Sequence, residues 1–521
     1  MQELEMNINK GRNKIMFNIK NFTISYKHII LIAMLYLVLP ICVFLIGWTK
    51  LYIGLPLNLL LLFALYKFYL NSYKTNKDKI SVSSIHLGFI LLFLALWVWT
   101  TGVGNFFVNA YDHPWRIAMF RDLINYEWPV IYPETNNAFV YYLCYWMIPS
   151  IFGKLFGWTV GNITLLLWTY IGVLIVYFIL LHLCNISSCK GMWLVTLLLF
   201  GWSGLNVVAS VIVQILNLNL YEFGLGNYIS WCDKMYNGYS FNFYYRSNQD
   251  ALMEIYNQTT PLWITTLIAL DNKNNIENYA FIGLCLFPFA PIPFIGLLVL
   301  FFSFFFHKII VTKKFFPHLR KVFSIQNIIP IISIMPIFMF FFMCNSTTQS
   351  EDGGGIMLLP FELFDKQRLF MLVTFWIFQF GILATLIYKE YKKQYLFYVI
   401  IIWLMLCPLI EFGKRGGRDF CMNASLPALF LLMCMTIKYI NKNIIDKILT
   451  TRNAIIICVL LLSSISAIGG VAVELDAIGN FGVFPIVNDW VYTFSDKGTE
   501  GYENFLTSTW DQSFFYKYIA K

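Results

Sequence analysis

Charged residues are scarce in this 521-residue chain. Asp, Glu, Lys and Arg make up 12% of it, whereas hydrophobic residues make up 59%. A soluble protein carries roughly twice that charged fraction. The scarcity excludes a soluble globular domain, and apolar runs of about 20 residues, long enough to cross a bilayer, recur along the sequence. We therefore predict an all-α polytopic membrane protein.

The sequence also lacks the short motifs that are typical of soluble catalytic domains. No P-loop, HExxH, GxSxG or dinucleotide-binding glycine motif occurs in a suitable context. This absence argues against a cytoplasmic sugar-nucleotide donor. The eleven cysteines form no CxxC pair, so we interpret them as small buried hydrophobes rather than as zinc ligands. The net charge of +9 is clustered between apolar runs, which indicates membrane topology and not nucleic-acid binding.

The basic residues predict the topology. Cytoplasmic loops of membrane proteins carry an excess of Lys and Arg. With the basic N-terminus in the cytoplasm and the first apolar run kept as an anchor, residues 1–474 form a bundle of about thirteen spans, and 475–521 form an extracytoplasmic tail. The external loops lie at about 110–160, 215–260, 345–366 and 411–422. The predicted spans are 28–48, 51–70, 85–109, 161–182, 191–214, 261–270, 279–288, 291–306, 325–344, 367–388, 394–410, 423–439 and 454–473.

Two segments depart from plain spans. The stretch 281–306 must break at Pro288, Pro291 and Pro293 into a helical hairpin, because a single span would place the following basic block outside. The amphipathic stretch 138–157 reads as an interfacial helix or pair of helices in the first external loop.

The first candidate site is "YDHPWRIAMFRDL", residues 111–123, which follows an apolar run. Two interpretations stay open. Asp112 is a helix N-cap, with Arg116 and Arg121 solvated. Alternatively, Asp112 is a general base or a metal ligand at the mouth of a membrane cavity, assisted by Asp122 or His113.

The second candidate is "EFGKRGGRDF", residues 411–420, which breaks the positive-inside rule in a loop predicted to face outward. Lys414, Arg415 and Arg418 suit a phosphate at headgroup depth, because guanidinium groups bind phosphate oxygens in pairs. The competing interpretations are surface pairing with Glu411 and Asp419, or a plain headgroup anchor.

The third candidate is 231–263, which mixes aromatic side chains with amides and carboxylates. Such a mixture suits sugar binding, and Tyr245 and Arg246 are the residues we single out. A folded loop with an ordinary aromatic core is an equally good interpretation.

The layout resembles the GT-C-type polytopic glycosyltransferases, which use polyprenyl-phosphate-linked sugars. In that family an acidic residue begins the first large external loop, just after a span, and the loop carries interfacial helices. Asp112 matches the acidic position. The stretches 115–127 and 138–157 match the interfacial helices, and 281–306 matches the irregular helices that follow.

The resemblance implies an inverting transferase at the outer face of a bacterial cytoplasmic membrane. Asp112 would deprotonate the acceptor hydroxyl, with Asp122 as a second catalytic candidate. Lys414, Arg415 and Arg418 would bind the donor phosphate. The implied partners are a polyprenyl-phosphate-linked sugar, a glycan, lipid or protein acceptor, and membrane lipids. The residues expected to bind substrate are His113, Trp115, Arg116, Trp128, Tyr132, Tyr245 and Arg246.

The chain departs from the family in two respects. The family usually has a paired acidic motif, whereas Asp112 is followed by His113, so a Mg²⁺ or Mn²⁺ cofactor stays an open question. The acidic loop also follows the third predicted span and not the first. Short segments at 122–133 and 418–430 additionally resemble bacterial membrane proteins of this layout.

Two alternatives share the predicted membrane architecture. A lipid-linked-glycan polymerase or ligase would use the same phosphate site with a pyrophosphate-linked glycan. A transporter or flippase would need a polar path and alternating access, and the sequence shows no inverted repeat that would favour it.

Overall fold

The fold is a helical bundle with a few short strands. The structure, a computed structural model, describes residues 21–107, 113–215, 243–345, 356–358, 366–412, 417–481 and 505–521. It is 76% helix. Among the described residues, eight helical segments are long and apolar enough to cross a membrane, so the chain is an integral membrane protein of mostly helical structure. These segments are Tyr26–Trp48, Leu51–Ser72, Trp158–Leu183, Pro291–Thr312, Ile325–Phe342, Leu372–Tyr391, Asp419–Asn443 and Thr451–Ala472.

The described helices are numbered in chain order. The first ten are α1 (Tyr26–Trp48), α2 (Leu51–Ser72), α3 (Ser84–Thr100), α4 (His113–Asn125), α5 (Met147–Phe156), α6 (Trp158–Leu183), α7 (Cys189–Gly201), α8 (Asn206–Ile215), α9 (Asn248–Glu254) and α10 (Tyr256–Asp271). The others are α11 (Tyr279–Leu286), α12 (Pro291–Thr312), α13 (Phe315–Val322), α14 (Ile325–Ser333), α15 (Met335–Phe342), α16 (Lys366–Trp376), α17 (Ile382–Tyr391), α18 (Tyr395–Leu406), α19 (Gly417–Ala424), α20 (Leu426–Asn443) and α21 (Thr451–Phe481).

The count of thirteen spans stays a prediction. Within the described ranges, four further apolar helical segments are shorter than a full span, at Ser84–Thr100, Cys189–Gly201, Ile276–Leu286 and Tyr395–Leu409. The predicted span 85–109 is too long, because α3 ends at Thr100. Gly102, Gly104 and Asn105 follow it with positive φ angles of 76°, 85° and 64°, a backbone conformation that terminates helices.

The predicted break of 281–306 is confirmed, but the second helix is not short, because it contains Pro291 and Pro293 and continues to Thr312. Helix α11 ends at Leu286, and α12 begins at Pro291, where a missing backbone N–H costs no helical hydrogen bond. The two helices pack closely. A Cβ atom on Gly283 would lie 3.2 Å from ring atoms of Phe294 and Phe301.

The predicted helical stretch 138–157 is wrong over its first part. A helix occupies Met147–Phe156, but Asn137–Phe139 is a strand.

Seven short strands form three sheets in the described parts of the chain. They are β1 (Asn21–Ser25), β2 (Lys79–Ser83), β3 (Ile131–Tyr132), β4 (Asn137–Phe139), β5 (Ile356–Leu358), β6 (Ile410–Phe412) and β7 (Leu506–Thr507), paired β1–β2, β3–β4–β7 and β5–β6.

The C-terminal segment explains why residues 137–139 are extended. Phe139 pairs with Leu506 across the β4–β7 ladder, and its carbonyl accepts a 3.0 Å hydrogen bond from the Tyr516 hydroxyl. The backbone N–H of Lys50 donates to the carbonyl of Ile519 at 2.8 Å. Residues 505–521 therefore lie at the end of the bundle that carries the α1–α2 turn and the loop after α4.

The opposite end of the bundle is rich in lysine, and we call it the basic end. Helices α2, α6, α10, α12, α17 and α20 all finish there. Ion pairs join its loops, Lys442 with Glu390 at 2.6 Å, and Lys321 with Glu277 at 3.7 Å. Inside it, the Tyr73 hydroxyl donates to the Asp271 carboxylate at 2.5 Å, and burial raises the pKa of Tyr73. The long helices thus separate two chemically different ends.

Candidate functional site

Helix α9 is the unusual element at the end opposite the basic end. All seven of its residues, with the sequence NQDALME, are buried. Ser247 caps the helix by accepting a 2.9 Å hydrogen bond from the backbone N–H of Asp250. Buried polar groups are costly unless they are paired, so such a helix requires polar partners from its neighbours.

The first candidate segment supplies some of these partners. His113, at the start of α4, places Nε2 2.7 Å from the carbonyl oxygen of Met253. One helical turn later, the guanidinium of Arg116 lies 5.9 Å from the ring centre of Tyr256. Both side chains are buried, at 2% and 4% exposure. The structure thus brings two predicted binding residues of the first segment onto the third segment.

A buried ion pair forms the centre of the third segment. The Arg246 guanidinium donates to the Glu254 carboxylate, and the two side chains are 6% and 9% exposed. The same guanidinium lies 5.3 Å from the ring centre of Tyr244. Tyr244 in turn donates to Asp250 at 3.0 Å. The charge of Arg246 is therefore compensated within the protein.

The helix that follows the second candidate loop completes the arrangement. Arg246 Nη2 lies 3.7 Å from the sulfur of Met422 in α19, and the Cys421 thiol donates to the carbonyl of Tyr244 at 3.5 Å. Helix α19 thereby packs directly on the residues that precede α9. We call the buried group of His113, Arg116, Tyr244, Arg246, Gln249, Asp250, Glu254 and Tyr256 the polar cluster.

The residues predicted as base and phosphate ligands are only partly described. Asp112, Lys414 and Arg415 lie outside the described residues. Asp112 directly precedes His113 in the chain. Arg418 is the second residue of α19, one helical turn before Met422, and only its backbone is described. Of the described residues close to them in the sequence, His113 belongs to the polar cluster and Met422 contacts Arg246.

Asp122 is fully buried in α4 and accepts a 2.6 Å hydrogen bond from the Tyr132 hydroxyl. Burial, followed by the nearby Asp122 carboxylate, raises the pKa of Tyr132, so the phenol remains a donor at physiological pH. The pair ties α4 to β3. Its catalytic assignment stays a prediction.

The predicted binding residues Trp115, Trp128 and Tyr245 lie in different surroundings. Trp115 is half-buried against the core. The Trp128 indole donates to the Leu123 carbonyl at 2.8 Å, and the Lys154 ammonium lies 5.2 Å from its ring centre. Tyr245 is buried and donates to the carbonyl of Leu404. Burial raises its pKa, so it too remains a neutral donor.

Several buried polar atoms near α9 have no hydrogen-bond partner within the described chain. They are Arg246 Nε, Gln249 Nε2, both amide atoms of Asn257 and Asn423 Oδ1. Native proteins rarely leave buried polar atoms without a hydrogen-bond partner, and water or a ligand is the usual partner. Gln249 is anchored through its other amide atom, which accepts a 2.5 Å hydrogen bond from the Trp97 indole.

An apolar groove of about 390 Å³ lies between α17 and α18. Its lining includes Phe380, Gly381, Ala384 and Met405. The Phe380 ring lies 6.5 Å from the ring of Tyr245, the residue next to Arg246. At its inner wall the groove therefore approaches the polar cluster. Residues Ile377–Gly381 form a π-helical turn, a feature that frequently marks functional sites.

No group of three or more His, Cys, Asp or Glu side chains in the described chain is arranged to hold a metal ion. This leaves the Mg²⁺ or Mn²⁺ question open, because Asp112 lies outside that part.

Three residues around α9 were not predicted from the sequence to belong to the site. They are Trp97, Asn257 and Met422. Asp250 and Glu254 are four residues apart in an otherwise apolar chain, and this spacing could have predicted a buried polar helix.

Comparisons with known proteins give no relative. No protein-family model, no curated protein and no solved structure matches this chain.

Proposed function

We propose that the protein is a membrane glycosyltransferase that takes a sugar from a polyprenyl-phosphate carrier. The observation that carries this proposal is the meeting of α4, the residues around α9 and α19 on one buried polar cluster next to an apolar groove. A lipid-linked sugar is amphipathic, so its site needs an apolar channel that leads to polar groups. Phe380 lines the groove, and its ring lies 6.5 Å from the ring of Tyr245. Tyr245 directly precedes Arg246 of the polar cluster.

The positive-inside rule supplies the orientation in this proposal. Most loops at the basic end carry several lysines, so that end faces the cytoplasm. The polar cluster then faces outward from a bacterial cytoplasmic membrane. A donor attached to a lipid carrier suits this side, because sugar nucleotides are cytoplasmic.

In the proposed reaction, the Asp112 carboxylate accepts the proton of an acceptor hydroxyl. The acceptor oxygen forms a bond to the anomeric carbon with inversion, while the bond from that carbon to the carrier phosphate breaks. Lys414, Arg415 and Arg418 stabilise the negative charge that develops on the leaving phosphate. Arg246 is already paired with Glu254, so we assign it to shaping the site rather than to phosphate binding.

The remaining residues are assigned by position. His113 and Arg116 line the side of the site formed by α4, and Asp122 fixes that helix through Tyr132. Buried amides such as Gln249 and Asn257 suit sugar hydroxyls, since each amide group both donates and accepts hydrogen bonds.

The test uses the purified full chain in proteoliposomes. The donors are radiolabelled polyprenyl-phosphate sugars and polyprenyl-pyrophosphate-linked glycans, and the acceptor is a cell-envelope glycan fraction. Asp112→Asn should abolish transfer and keep carrier binding. The control is Asp78→Asn, the same substitution at an exposed aspartate of the basic end. Full activity in Asp112→Asn contradicts the base assignment. Transfer only from pyrophosphate-linked glycans would instead identify a polymerase or ligase.

A further inference from the structure

A short hairpin at the basic end projects beyond the spanning helix α12. Lys313 ends that helix in a left-handed conformation with φ 54°, and α13 follows. Three contacts fix the hairpin. Ser324 Oγ donates to the Glu277 carbonyl at 2.7 Å, Lys321 pairs with Glu277, and His318 Nε2 lies 2.7 Å from Thr312 Oγ1. The surface it presents therefore has a defined shape.

The outer side of the hairpin combines cationic side chains with exposed aromatic rings. We call Lys313, Lys314, Phe316, Arg320 and Phe323 the basic–aromatic surface. Phe316 is 74% exposed and Phe323 is 66% exposed. Phe316 and Arg320 are four residues apart in α13, so they lie on the same side of it, and Phe323 directly follows the helix. The one buried side chain of α13 is His318, on its other side.

The cations of this surface differ from the adjacent Lys321 in their acidic neighbours. In the described chain, no carboxylate lies within 4.0 Å of Lys313, Lys314 or Arg320, whereas the adjacent Lys321 pairs with Glu277. Uncompensated cations beside exposed aromatic rings, directly after a spanning helix, match the composition of segments that lie at a membrane surface.

The apolar surface continues from the hairpin into the membrane-spanning helix. Ile310 and Val311, in the last turn of α12, are 72% and 66% exposed. A ligand that touches the cations therefore meets apolar side chains on the membrane side of them. That arrangement fits a headgroup with attached acyl chains better than it fits a soluble anion.

We infer that the basic–aromatic surface binds the headgroup of an anionic phospholipid in the leaflet at the basic end. Lys313, Lys314 and Arg320 contact the phosphate, and Phe316 and Phe323 enter the acyl boundary. This inference does not depend on the proposed transferase function.

The experiment measures lipid retention by native mass spectrometry of the full chain, purified in micelles containing equal amounts of phosphatidylglycerol and phosphatidylcholine. The test variant is Lys313→Gln/Lys314→Gln/Arg320→Gln. Each cation that contacts the bound headgroup should contribute about fivefold to affinity, so we expect phosphatidylglycerol affinity to fall roughly a hundredfold in this variant. The control variant replaces Lys389, Lys392 and Lys393, three exposed lysines at the same end, by Gln.

A second variant, Phe316→Ser/Phe323→Ser, keeps the charges and should weaken retention of both phospholipids. The inference is supported if the test variant loses phosphatidylglycerol while the control retains it. It is overturned if the test variant binds within twofold of the native chain, if the control loses as much, or if the Phe variant retains lipid unchanged. Melting temperatures of all variants check that each one is folded.

Discussion

Removing the acidic half of the buried Arg246–Glu254 pair should be strongly destabilising. In Glu254→Leu, the Arg246 guanidinium stays in a site where its side chain is 6% exposed, without its carboxylate partner. Breaking a buried ion pair in this way costs about 3–5 kcal/mol, because a charge is left desolvated. The reference is Glu390→Leu, which breaks the pair with Lys442, whose side chain is 66% exposed. That loss should be below about 1 kcal/mol.

The assay is equilibrium unfolding of the purified protein in mixed micelles with rising SDS, followed by tryptophan fluorescence. Arg246→Met and the double variant Arg246→Met/Glu254→Leu complete a double-mutant cycle. The double variant should be more stable than Glu254→Leu, since both charges of this pair are removed together. A cost for Glu254→Leu no greater than that for Glu390→Leu would refute the buried pair. So would a double variant whose cost is the sum of the two single costs.

Two further predictions use paired substitutions elsewhere in the fold. Tyr132→Phe removes a hydrogen bond to a buried carboxylate and should cost about 1.5–3 kcal/mol, whereas Tyr516→Phe removes a bond to a carbonyl and should cost about 0.5–1.5 kcal/mol in the same unfolding assay. Equal losses would count against the hydrogen bond between Tyr132 and the Asp122 side chain. Gly296→Ala would put a Cβ atom 2.1 Å from the Ala424 carbonyl oxygen and should lower the melting temperature by displacing the end of α19, while Gly88→Ala, with nothing within 4 Å, should leave it unchanged. Indistinguishable melting temperatures would show that α12 and α19 do not pack as described.

Local patterns were sufficient to predict much of the helical layout. The break at Pro288 and Pro291 followed from the missing backbone donors of proline and from the charge of the loop that follows. Helix α4 begins within two residues of the predicted 115–127 stretch. The end of α3 was misplaced because hydrophobicity continues past Thr100, whereas the backbone leaves the helix at Gly102.

Contacts between residues far apart in the chain could not be predicted from sequence patterns. The amphipathic pattern of 138–157 is compatible with a helix, but Ala138 and Phe139 pair with residues more than 360 positions later, and no local pattern records that pairing. The polar cluster is similar. Each of its segments was recognised as polar, but the contacts of Arg246 with Glu254 and Met422 depend on how the segment before α9 packs against α9 and α19. Whether Asp112 faces Arg415 and Arg418 stays a prediction.

The most direct test of the central claim is to locate the lipid carrier by photo-crosslinking. A polyprenyl phosphate with a diazirine on an isoprene unit close to the phosphate is irradiated with the reconstituted full chain, and the labelled peptides are identified by mass spectrometry. The proposed carrier site predicts labels on the groove residues of α17 and α18 and on residues 243–254, and unlabelled polyprenyl phosphate should suppress them. Labels confined to the basic end, or labels that the unlabelled carrier does not suppress, would contradict it.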